Sequence, residues 1–332
     1  MLFAGLVFES ATRWKMSSPC SQRDMLHVVI AGLKDPFLGR VFWKGVRALT
    51  IAISLKVNDG VVLAADSAST LIGKTSGGNA VMNIYNNANK IFNLRKGLPI
   101  GAITWGSGSV GTASISTLMK DLRRRLTDNE GPFKKWRIDS SSYTIGAVAD
   151  RLREFIFDEF YIPAFKDWDE KPRLGFIVAG YSSGAGMAEE CQIDIANGQC
   201  EGPRPIRDNL ECGLTWSGEP EAISRLVFGF SPQLASTLNQ QLGVPHDQIG
   251  PTIQVLKQAL RAPLVMDPMP IQDAIDLAEF LVDLTVRFSR FMPGAPTVGG
   301  PIEVAAITKH EGFKWVRRKH YFPTNLNPEW QS

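Results

Sequence analysis

The sequence predicts an α+β fold, a four-layer α/β/β/α sandwich in which two antiparallel sheets are flanked by helices. The predicted strands come mostly in hairpins, and the elements run in the order four strands, two helices, a run of strands, helices and closing strands. This order lacks the strict β–α alternation of a doubly wound fold. The composition, 44% hydrophobic and 21% charged in 332 residues, is ordinary for a globular protein with a sizeable core.

The clearest strand pattern begins at Thr50. Residues Thr50 to Val57 alternate and are rich in β-branched side chains, and Asn58-Asp59-Gly60 is typical of a hairpin turn. Val61 to Ala65 then form an apolar run that ends at Asp66. The domain is therefore predicted to open with a β-hairpin whose second strand carries Asp66 at its end.

A second hairpin is predicted after a glycine- and asparagine-rich loop over residues 72–88. Lys90 to Leu94 and Pro99 to Trp105 form its strands, and it ends in Gly106-Ser107-Gly108. Further helices and strands follow from their hydrophobic periodicity, and residues 231–250 are interpreted as irregular. The predicted helices are Val110–Leu126, Ser141–Tyr161, Glu219–Val227, Thr252–Arg261 and Ile271–Phe291, and the predicted strands are Leu174–Tyr181, Cys191–Ile195, Cys212–Trp216, Val304–Thr308 and Phe313–Val316.

Three segments are predicted: an N-terminal extension (1–49), a domain (50–320) and a C-terminal tail (321–332). The extension shows no strand alternation, and a short amphipathic helix over Phe37–Leu49 is its only predicted element. Residues 1–49 are interpreted as propeptide-like or as the product of an incorrectly assigned start.

The distribution of charge argues against nucleic-acid binding. The net charge is +3, but residues 1–49 hold seven Lys/Arg and three Asp/Glu, so the remaining chain has a net charge of −1. The basic runs Arg123-Arg124-Arg125 and Arg317-Arg318-Lys319 are interpreted as solvated faces, with a phosphate-binding patch as the alternative.

The cysteines and the hydropathy argue for a cytoplasmic protein without a membrane span. No apolar run reaches the ~18 residues that cross a bilayer. The four cysteines form no C-x-x-C pair and too sparse a set for a disulfide framework, so free thiols are expected. The scattered histidines include no H-E-x-x-H, and no metal or cofactor is predicted. The cysteines are Cys20, Cys191, Cys200 and Cys212.

Three residues at strand ends, Thr50, Asp66 and Lys90, carry the predicted chemistry. A threonine hydroxyl is a weak nucleophile that needs a base, and the α-amine of a chain beginning at Thr50 would supply one with a pKa of about 7.7–8.0. A nearby lysine cation favours the neutral amine and stabilises the developing alkoxide. A carboxylate beside that lysine would orient it, and amides of the Gly106-Ser107-Gly108 turn could stabilise an oxyanion.

The same residues resemble a known family. The stretch Thr50-Ile-Ala-Ile-Ser-Leu-Lys-Val-Asn-Asp-Gly-Val-Val-Leu-Ala-Ala-Asp66-Ser is similar to the start of mature proteasome β subunits and of the peptidase subunit of the bacterial two-component ATP-dependent protease. In that family an aspartate follows the nucleophilic threonine by sixteen positions, as Asp66 follows Thr50. Asn89-Lys90-Ile-Phe matches the strand of the catalytic lysine, and Trp105-Gly106-Ser107-Gly108 matches the glycine-bearing turn.

The resemblance implies a bacterial proteasome-like N-terminal-nucleophile (Ntn) hydrolase. Thr50 would be the nucleophile, Asp66 and Lys90 its partners, and the Gly106 amide the oxyanion donor. Thr215-Trp216-Ser217-Gly218 is similar to the family's Ser-Gly turn and implies that Ser217 neighbours the site. A self-assembled homo-oligomeric ring, peptide or unfolded-protein substrates and no cofactor are further implications, with any ATPase partner unspecified.

The chain departs from the family pattern at two places. The stretch Ala295-Pro-Thr-Val-Gly299-Gly300 lacks the aspartate and serine that normally precede this glycine pair, and residue 49 is leucine instead of glycine. Two alternatives to a threonine peptidase therefore stay open. One is a catalytically inactive scaffold subunit, and the other is an Ntn amidase that acts on non-peptide substrates.

Two phosphate-binding motifs match only in part. Gly106-Ser-Gly-Ser-Val-Gly111 has the G-x-G-x-x-G form, but its helix is not followed by a parallel strand tipped with an acid. Gly73-Lys74-Thr75 lacks a glycine five positions earlier, where Ala68 stands. Neither a dinucleotide fold nor a P-loop is predicted.

Overall fold

The structure is a computed structural model that describes residues 47–48, 50–75, 78–128, 133–294 and 296–320, without the side chains of 47–48 and 71–82. All of these residues lie in one compact unit, Trp43–Ser332. The strands are β1 Arg47–Ala48, β2 Ile51–Val57, β3 Gly60–Ala65, β4 Ser69–Thr75, β5 Gly78–Tyr85, β6 Ile91–Asn93, β7 Ile100–Ser107, β8 Ser109–Val110, β9 Ala113–Ser114, β10 Leu174–Gly180, β11 Glu189–Ala196, β12 Gln199–Pro205, β13 Gly213–Gly218, β14 Glu303–Thr308 and β15 Gly312–Arg317.

The helices lie in two groups along the chain, one between β9 and β10 and one between β13 and β14. Side-chain caps begin the first two, since Ser114 accepts from the Thr117 amide and Thr144 from the Ala147 amide, each at 3.1 Å. The helices are α1 Ile115–Thr127, α2 Ile145–Arg153 with its π-helical continuation Glu154–Tyr161, α3 Ile162–Ala164, α4 Glu221–Phe228, α5 Leu234–Gln240, α6 His246–Leu260 and α7 Ile271–Phe291.

Two sheets organise the described residues. The first has the strand order β1-β7-β10-β11-β12, with β6 also paired to β7, and the second has the order β13-β2-β3-β14-β15. Every strand pairing among the described residues is antiparallel. The prediction of an α+β fold with antiparallel sheets is therefore confirmed, and this part of the chain contains no parallel dinucleotide-binding unit.

Three hydrophobic clusters hold these elements together. One joins the two sheets through residues such as Leu63 and Ile177, both fully buried. A second packs the first sheet against α1 and α2, and a third packs the second sheet against α4 and α7. The central strands β2 and β3 are buried on both faces, as a hairpin between a helix layer and another sheet must be.

Polar side chains on β2 are satisfied at the interface between the sheets. The Ser54 hydroxyl donates to Glu190 at 2.5 Å, and Arg207 pairs with the same carboxylate at 2.9 Å. Lys56, 1% exposed, donates to the Asn209 carbonyl at 2.8 Å. These bonds fix the loop that leads into β13 beside the end of β2, where Gly213 pairs with Lys56.

The prediction of a loop over residues 72–88 was wrong for most of that range. The strands β4 and β5 pair along it from Ser69↔Tyr85 to Thr75↔Gly78. Glycine and asparagine have a low strand propensity, but the two segments pair as a local hairpin whose backbone hydrogen bonds do not depend on the side chains. Similarly, β12 was not predicted because it is an edge strand that carries Pro203 and Pro205.

The prediction that residues 231–250 are irregular was also wrong, since α5 and the start of α6 lie there. Ile249 is the only buried side chain on these two helices, so they lack the apolar periodicity from which helices are predicted. The predicted helix Val110–Leu126 begins instead at Ile115, after the small hairpin β8–β9. The long helix over Ile271–Phe291 is confirmed.

The predicted helix over Phe37–Leu49 falls mostly outside the described residues. Its described part, Arg47–Ala48, is strand β1 instead, because it pairs with the edge of β7. Within the described residues, no helix has the length and apolar character needed to cross a bilayer.

Candidate active site

The β2–β3 hairpin brings Thr50 and Asp66 together. Thr50 precedes β2 and Asp66 follows β3, and the register pairs Ala52 with Ala65. Thr50 Oγ1 donates to Asp66 Oδ1 at 3.1 Å, and the Ile51 amide donates to the same oxygen at 3.0 Å. The sixteen-residue spacing is therefore the length of a hairpin that returns to its own start.

Lys90 reaches the same carboxylate from the other sheet. Its Nζ donates to Asp66 Oδ1 at 2.6 Å, and its carbonyl accepts from the Thr104 amide at 3.0 Å. The second bond holds Lys90 against β7, directly before the short strand β6. The three residues predicted from the sequence thus converge on a single carboxylate oxygen.

The Asp66 carboxylate is buried and fully engaged. Its side chain is 0% exposed, and that of Lys90 is 5% exposed. The Ala68 and Gly299 amides donate to the second oxygen, Oδ2, at 3.0 Å each. With Thr50, the Ile51 amide and Lys90, the carboxylate thus accepts from five donors. Because a buried charge is costly unless it is paired and hydrogen-bonded, these donors fix the orientation of Asp66 and, through it, of Lys90 and Thr50.

Burial lowers the pKa of Lys90 below its usual value, because the surroundings solvate the ammonium poorly. The charge and the hydrogen bond of Asp66 oppose this shift, and the Lys319 cation adds to it. Lys90 therefore holds its proton less tightly than an exposed lysine does.

A cleft of about 230 Å³ opens beside these residues. Gly106 in its wall has φ +92°, and a Cβ there would lie 2.4 Å from the Arg173 carbonyl oxygen, so the position requires glycine. The capped start of α1 closes the opposite side. The lining residues are Thr50, Ser69, Asn87, Ala88, Asn89, Lys90, Thr104, Trp105, Gly106, Ser107, Gly108, Ser114, Ile115 and Ser116.

Arg47 and Ala48 occupy one edge of this region. The strand β1 runs antiparallel to β7, with Arg47 opposite Ser107 and Ala48 opposite Gly106. The β7 edge at Gly106 and Ser107 thus accepts extended backbone within two residues of Thr50. Thr50 itself is 0% exposed in this arrangement.

Ser217 lies on β13, opposite Ala52, and is not among the residues that line the cleft. The chain that follows Ser217 contacts Thr50 through its backbone, because the Glu219 amide donates to the Thr50 carbonyl at 2.7 Å. A Cβ at Gly218, which has φ +101°, would lie only 1.8 Å from that carbonyl oxygen. Gly218 is therefore in direct backbone contact with Thr50.

Four residues that sequence reasoning did not assign support the Asp66 turn. Ser67, next to Asp66, accepts a hydrogen bond from Lys319 Nζ at 2.7 Å. Lys319 also donates to the Ala88 carbonyl and pairs with Glu303 Oε2, both at 2.8 Å. The interpretation of Arg317–Lys319 as a solvated face was wrong for Lys319, whose side chain is 12% exposed. No local pattern could have found this contact, since it joins positions 252 residues apart.

The glycine pair Gly299-Gly300 contacts the site through its backbone. The Gly299 amide donates to Asp66 Oδ2, and the Gly299 carbonyl accepts from the Ser67 amide at 2.9 Å. Gly300 has φ +75°, and a Cβ there would lie 2.5 Å from the Asn86 carbonyl oxygen. The segment that lacks the expected aspartate and serine therefore still stabilises the Asp66 carboxylate.

Similarity of this chain to known proteins was found among solved structures. No protein-family model and no curated protein matches the chain. Among solved structures it is similar to a Gly-1 mutant of Anbu from Hyphomicrobium sp. strain MC1, at 18% sequence identity and a TM-score of 0.40, over 81% of this chain and 86% of that one.

Proposed function

We propose that this chain is a proteasome-like N-terminal-nucleophile hydrolase with the four-layer sandwich of that family, a threonine peptidase that acts once residues 1–49 are removed. One observation carries the proposal: Thr50 Oγ1 and Lys90 Nζ both donate to Asp66 Oδ1, at 3.1 and 2.6 Å, in the wall of an open cleft. A hydroxyl, a buried lysine and a carboxylate in contact have the geometry of an activated nucleophile.

In the proposed acylation step, the freed α-amine of Thr50 takes the proton of Oγ1 as Oγ1 attacks the substrate carbonyl carbon. The carbonyl electron pair moves onto oxygen, and the Gly106 amide stabilises the oxyanion. When the intermediate collapses, the C–N bond breaks and the α-ammonium gives the proton it took from Oγ1 to the leaving amine. The acyl group is then bound to Thr50 as an ester.

In the proposed deacylation step, the α-amine removes a proton from water, and the resulting oxygen attacks the ester carbonyl. The C–Oγ1 bond breaks, Oγ1 regains the proton, and the acid product leaves. The Lys90 cation lowers the pKa of the neighbouring amine and stabilises negative charge on Oγ1. Asp66 orients Lys90, and Ser217 is assigned only a supporting position on the neighbouring strand.

The edge of β7 favours a peptide over a non-peptide amide as the substrate. Arg47 and Ala48 already lie on this edge as an antiparallel strand opposite Ser107 and Gly106. Once residues 1–49 are gone, a substrate peptide could add to the same edge, with main-chain hydrogen bonds directing its carbonyl to Thr50.

A second candidate is a catalytically inactive scaffold subunit. It is favoured by the arrangement of the uncleaved chain, in which Thr50 is linked to Leu49, is 0% exposed and follows a strand that occupies the β7 edge. Retention of residues 1–49 would keep the amine in an amide bond, where it cannot act as a base.

The test compares the full chain with a chain that begins at Thr50, released from a removable leader. The Thr50-initiated protein should hydrolyse fluorogenic peptides and form a covalent adduct with an electrophilic peptide probe, detected by intact mass. Thr50→Ala should lower hydrolysis at least about 10³-fold with an unchanged circular dichroism spectrum. Thr50→Ser, which keeps a hydroxyl, should retain part of the activity. Equal rates for Thr50→Ala and wild type would refute the nucleophile assignment.

The other expectations from the resemblance stay predictions. These are assembly into a homo-oligomeric ring, an ATPase partner of unspecified kind and a cytoplasmic location. Light scattering of the Thr50-initiated protein would test the first. An inactive Thr50-initiated protein that still forms a ring would favour the scaffold.

A further inference from the structure

A second, larger cavity of about 590 Å³ lies beside the cleft and shares Asn87, Asn89 and Ser116 with it. Its described wall is strongly basic, because five lysine and arginine side chains face it and Glu303 is the one carboxylate among the described lining residues. Its basic lining side chains are Lys96, Lys120, Arg123, Arg318 and Lys319.

Helix α1 directs two of these cations into the cavity. Lys120 and Arg123 are three residues apart and therefore share a helix face with each other. The adjacent Arg124 projects elsewhere, since its side chain is 71% exposed and pairs with Asp128 in the next turn. The sequence run of three arginines thus contributes one, Arg123, to the cavity lining.

A β-bulge in β15 directs a third cation. Ala305 pairs with Trp315 and the preceding Val304 with Arg317, so Val316 is an extra residue on this strand. Arg317 consequently turns toward α7 and pairs with Glu279. Arg318 is placed on the Trp315 side, with its guanidinium 5.0 Å from the centre of that ring.

The positive charge of this cavity is poorly compensated. Glu303 pairs with Lys319 at 2.8 Å, and within the described part of the chain neither Arg123 nor Arg318 pairs with a carboxylate. Burial lowers the pKa of Arg123, and the nearby Arg318 charge lowers it further. Holding two guanidiniums close together costs free energy that a bound anion would offset.

We propose that this cavity binds a polyphosphate chain, either free or as part of a nucleotide. Guanidinium groups match phosphate oxygens in pairs, and the lysines add mobile point charges around them. The volume of about 590 Å³ lies within the range of small-molecule sites. Half-buried Trp315 gives the wall an apolar surface beside the cations. The proposal does not depend on hydrolysis at Thr50.

Titration calorimetry with sodium tripolyphosphate tests the proposal on the full chain. The cavity variant Arg123→Gln/Arg318→Gln should bind at least tenfold more weakly than wild type. The matched control Arg124→Gln/Arg317→Gln removes the same charge from the same two basic runs but outside the cavity, and should bind within twofold of wild type. Equal weakening in both variants would indicate a diffuse charge effect and overturn the proposal, as would no binding by wild type at 0.1 M salt.

Further measurements distinguish a nucleotide from a free polyphosphate as the ligand, and they control for misfolding of the double variant. Tighter binding of ATP than of tripolyphosphate would point to a nucleotide, and the reverse to a free polyphosphate. Tighter binding of hexaglutamate than of either would overturn the phosphate assignment. If the double variant fails a circular dichroism check, the exposed single variant Lys120→Gln replaces it, with an expected loss of at least threefold. Wild-type affinity in Lys120→Gln would then refute the site.

Discussion

The Thr50 cleft and the basic cavity share part of a wall but differ in how their charges are compensated. In the cleft, the buried Asp66 carboxylate accepts hydrogen bonds from Thr50, Lys90 and three backbone amides. In the cavity, five lysines and arginines face a single carboxylate among the described lining residues. The first arrangement is preorganised without a ligand, whereas the second gains stability from binding an anion.

This difference predicts how each region responds to substitution. A closed network of buried charges is strongly coupled, so removing one member leaves its partner unpaired in a low dielectric. In the cavity, Arg123 and Arg318 have no carboxylate partner among the described residues, so removing either one should change the free energy of unfolding little.

The largest effect is expected for Lys90→Met. It leaves the Asp66 carboxylate buried without its cation, and should lower the free energy of unfolding by about 3–5 kcal/mol. Arg318→Gln in the cavity should change it by less than about 0.5 kcal/mol. Urea unfolding measures both. The double variant Asp66→Asn/Lys90→Met removes both charges and should recover part of the loss; a double variant no more stable than Lys90→Met would contradict the charge argument.

A smaller effect is expected for Gly218→Ala, with Gly229→Ala as its control. Both glycines have positive φ, +101° and +76°, but a Cβ at Gly218 would meet the Thr50 carbonyl oxygen at 1.8 Å whereas one at Gly229 has no neighbour within 4 Å. Gly229→Ala should cost about 1 kcal/mol of stability from backbone strain alone. Gly218→Ala should cost about 2–4 kcal/mol and displace Thr50, so that hydrolysis falls as well.

Thermal unfolding and peptide hydrolysis of the two glycine variants separate strain from displacement. Equal stability and equal activity in both would mean that the backbone around Thr50 adjusts freely. The contact between β13 and Thr50 would then play no part in positioning the nucleophile.

The smallest effects are expected at the Lys319–Glu303 pair, which lies between the two regions. The Lys319 charge lowers the pKa of Lys90 and the Glu303 charge raises it. Lys319→Gln should therefore raise the Lys90 pKa, and Glu303→Gln should lower it. The other charged neighbours of Lys319 are Asp66 and Arg318. The double variant should return the pKa toward that of wild type.

Two readouts follow the Lys90 proton. The ¹³Cε resonance of Lys90, assigned by its loss in Lys90→Met, reports the titration whether or not the protein is active. In an active protein, the rate of hydrolysis falls at high pH as the Lys90 cation is lost. The pH at which the rate falls should be higher in Lys319→Gln and lower in Glu303→Gln. Shifts in the same direction in both variants would indicate a structural role for the pair.

The candidate site was predicted from the sequence chiefly where local patterning encodes it. The Thr50–Asp66 spacing is the length of one hairpin, and the apolar runs on both sides of Asn58-Asp59-Gly60 define that hairpin. The helix Ile271–Phe291 was predicted at its observed bounds because one face is apolar and buried. Elements without such a face, such as α5 and the edge strand β12, were missed for the same physical reason.

By itself, the sequence determined the α+β class and the opening hairpin, because hydrophobic periodicity and turn residues act over short distances. Its resemblance to the proteasome family singled out Thr50, Asp66 and Lys90 as the candidate site. Only the tertiary structure decided what surrounds them. The Gly299 amide on Asp66, the Lys319–Ser67 contact and the β15 bulge that separates Arg317 from Arg318 all depend on how distant segments pack. One extra residue on β15 reverses which of two neighbouring arginines faces the cavity, because side chains alternate between the two faces of a strand.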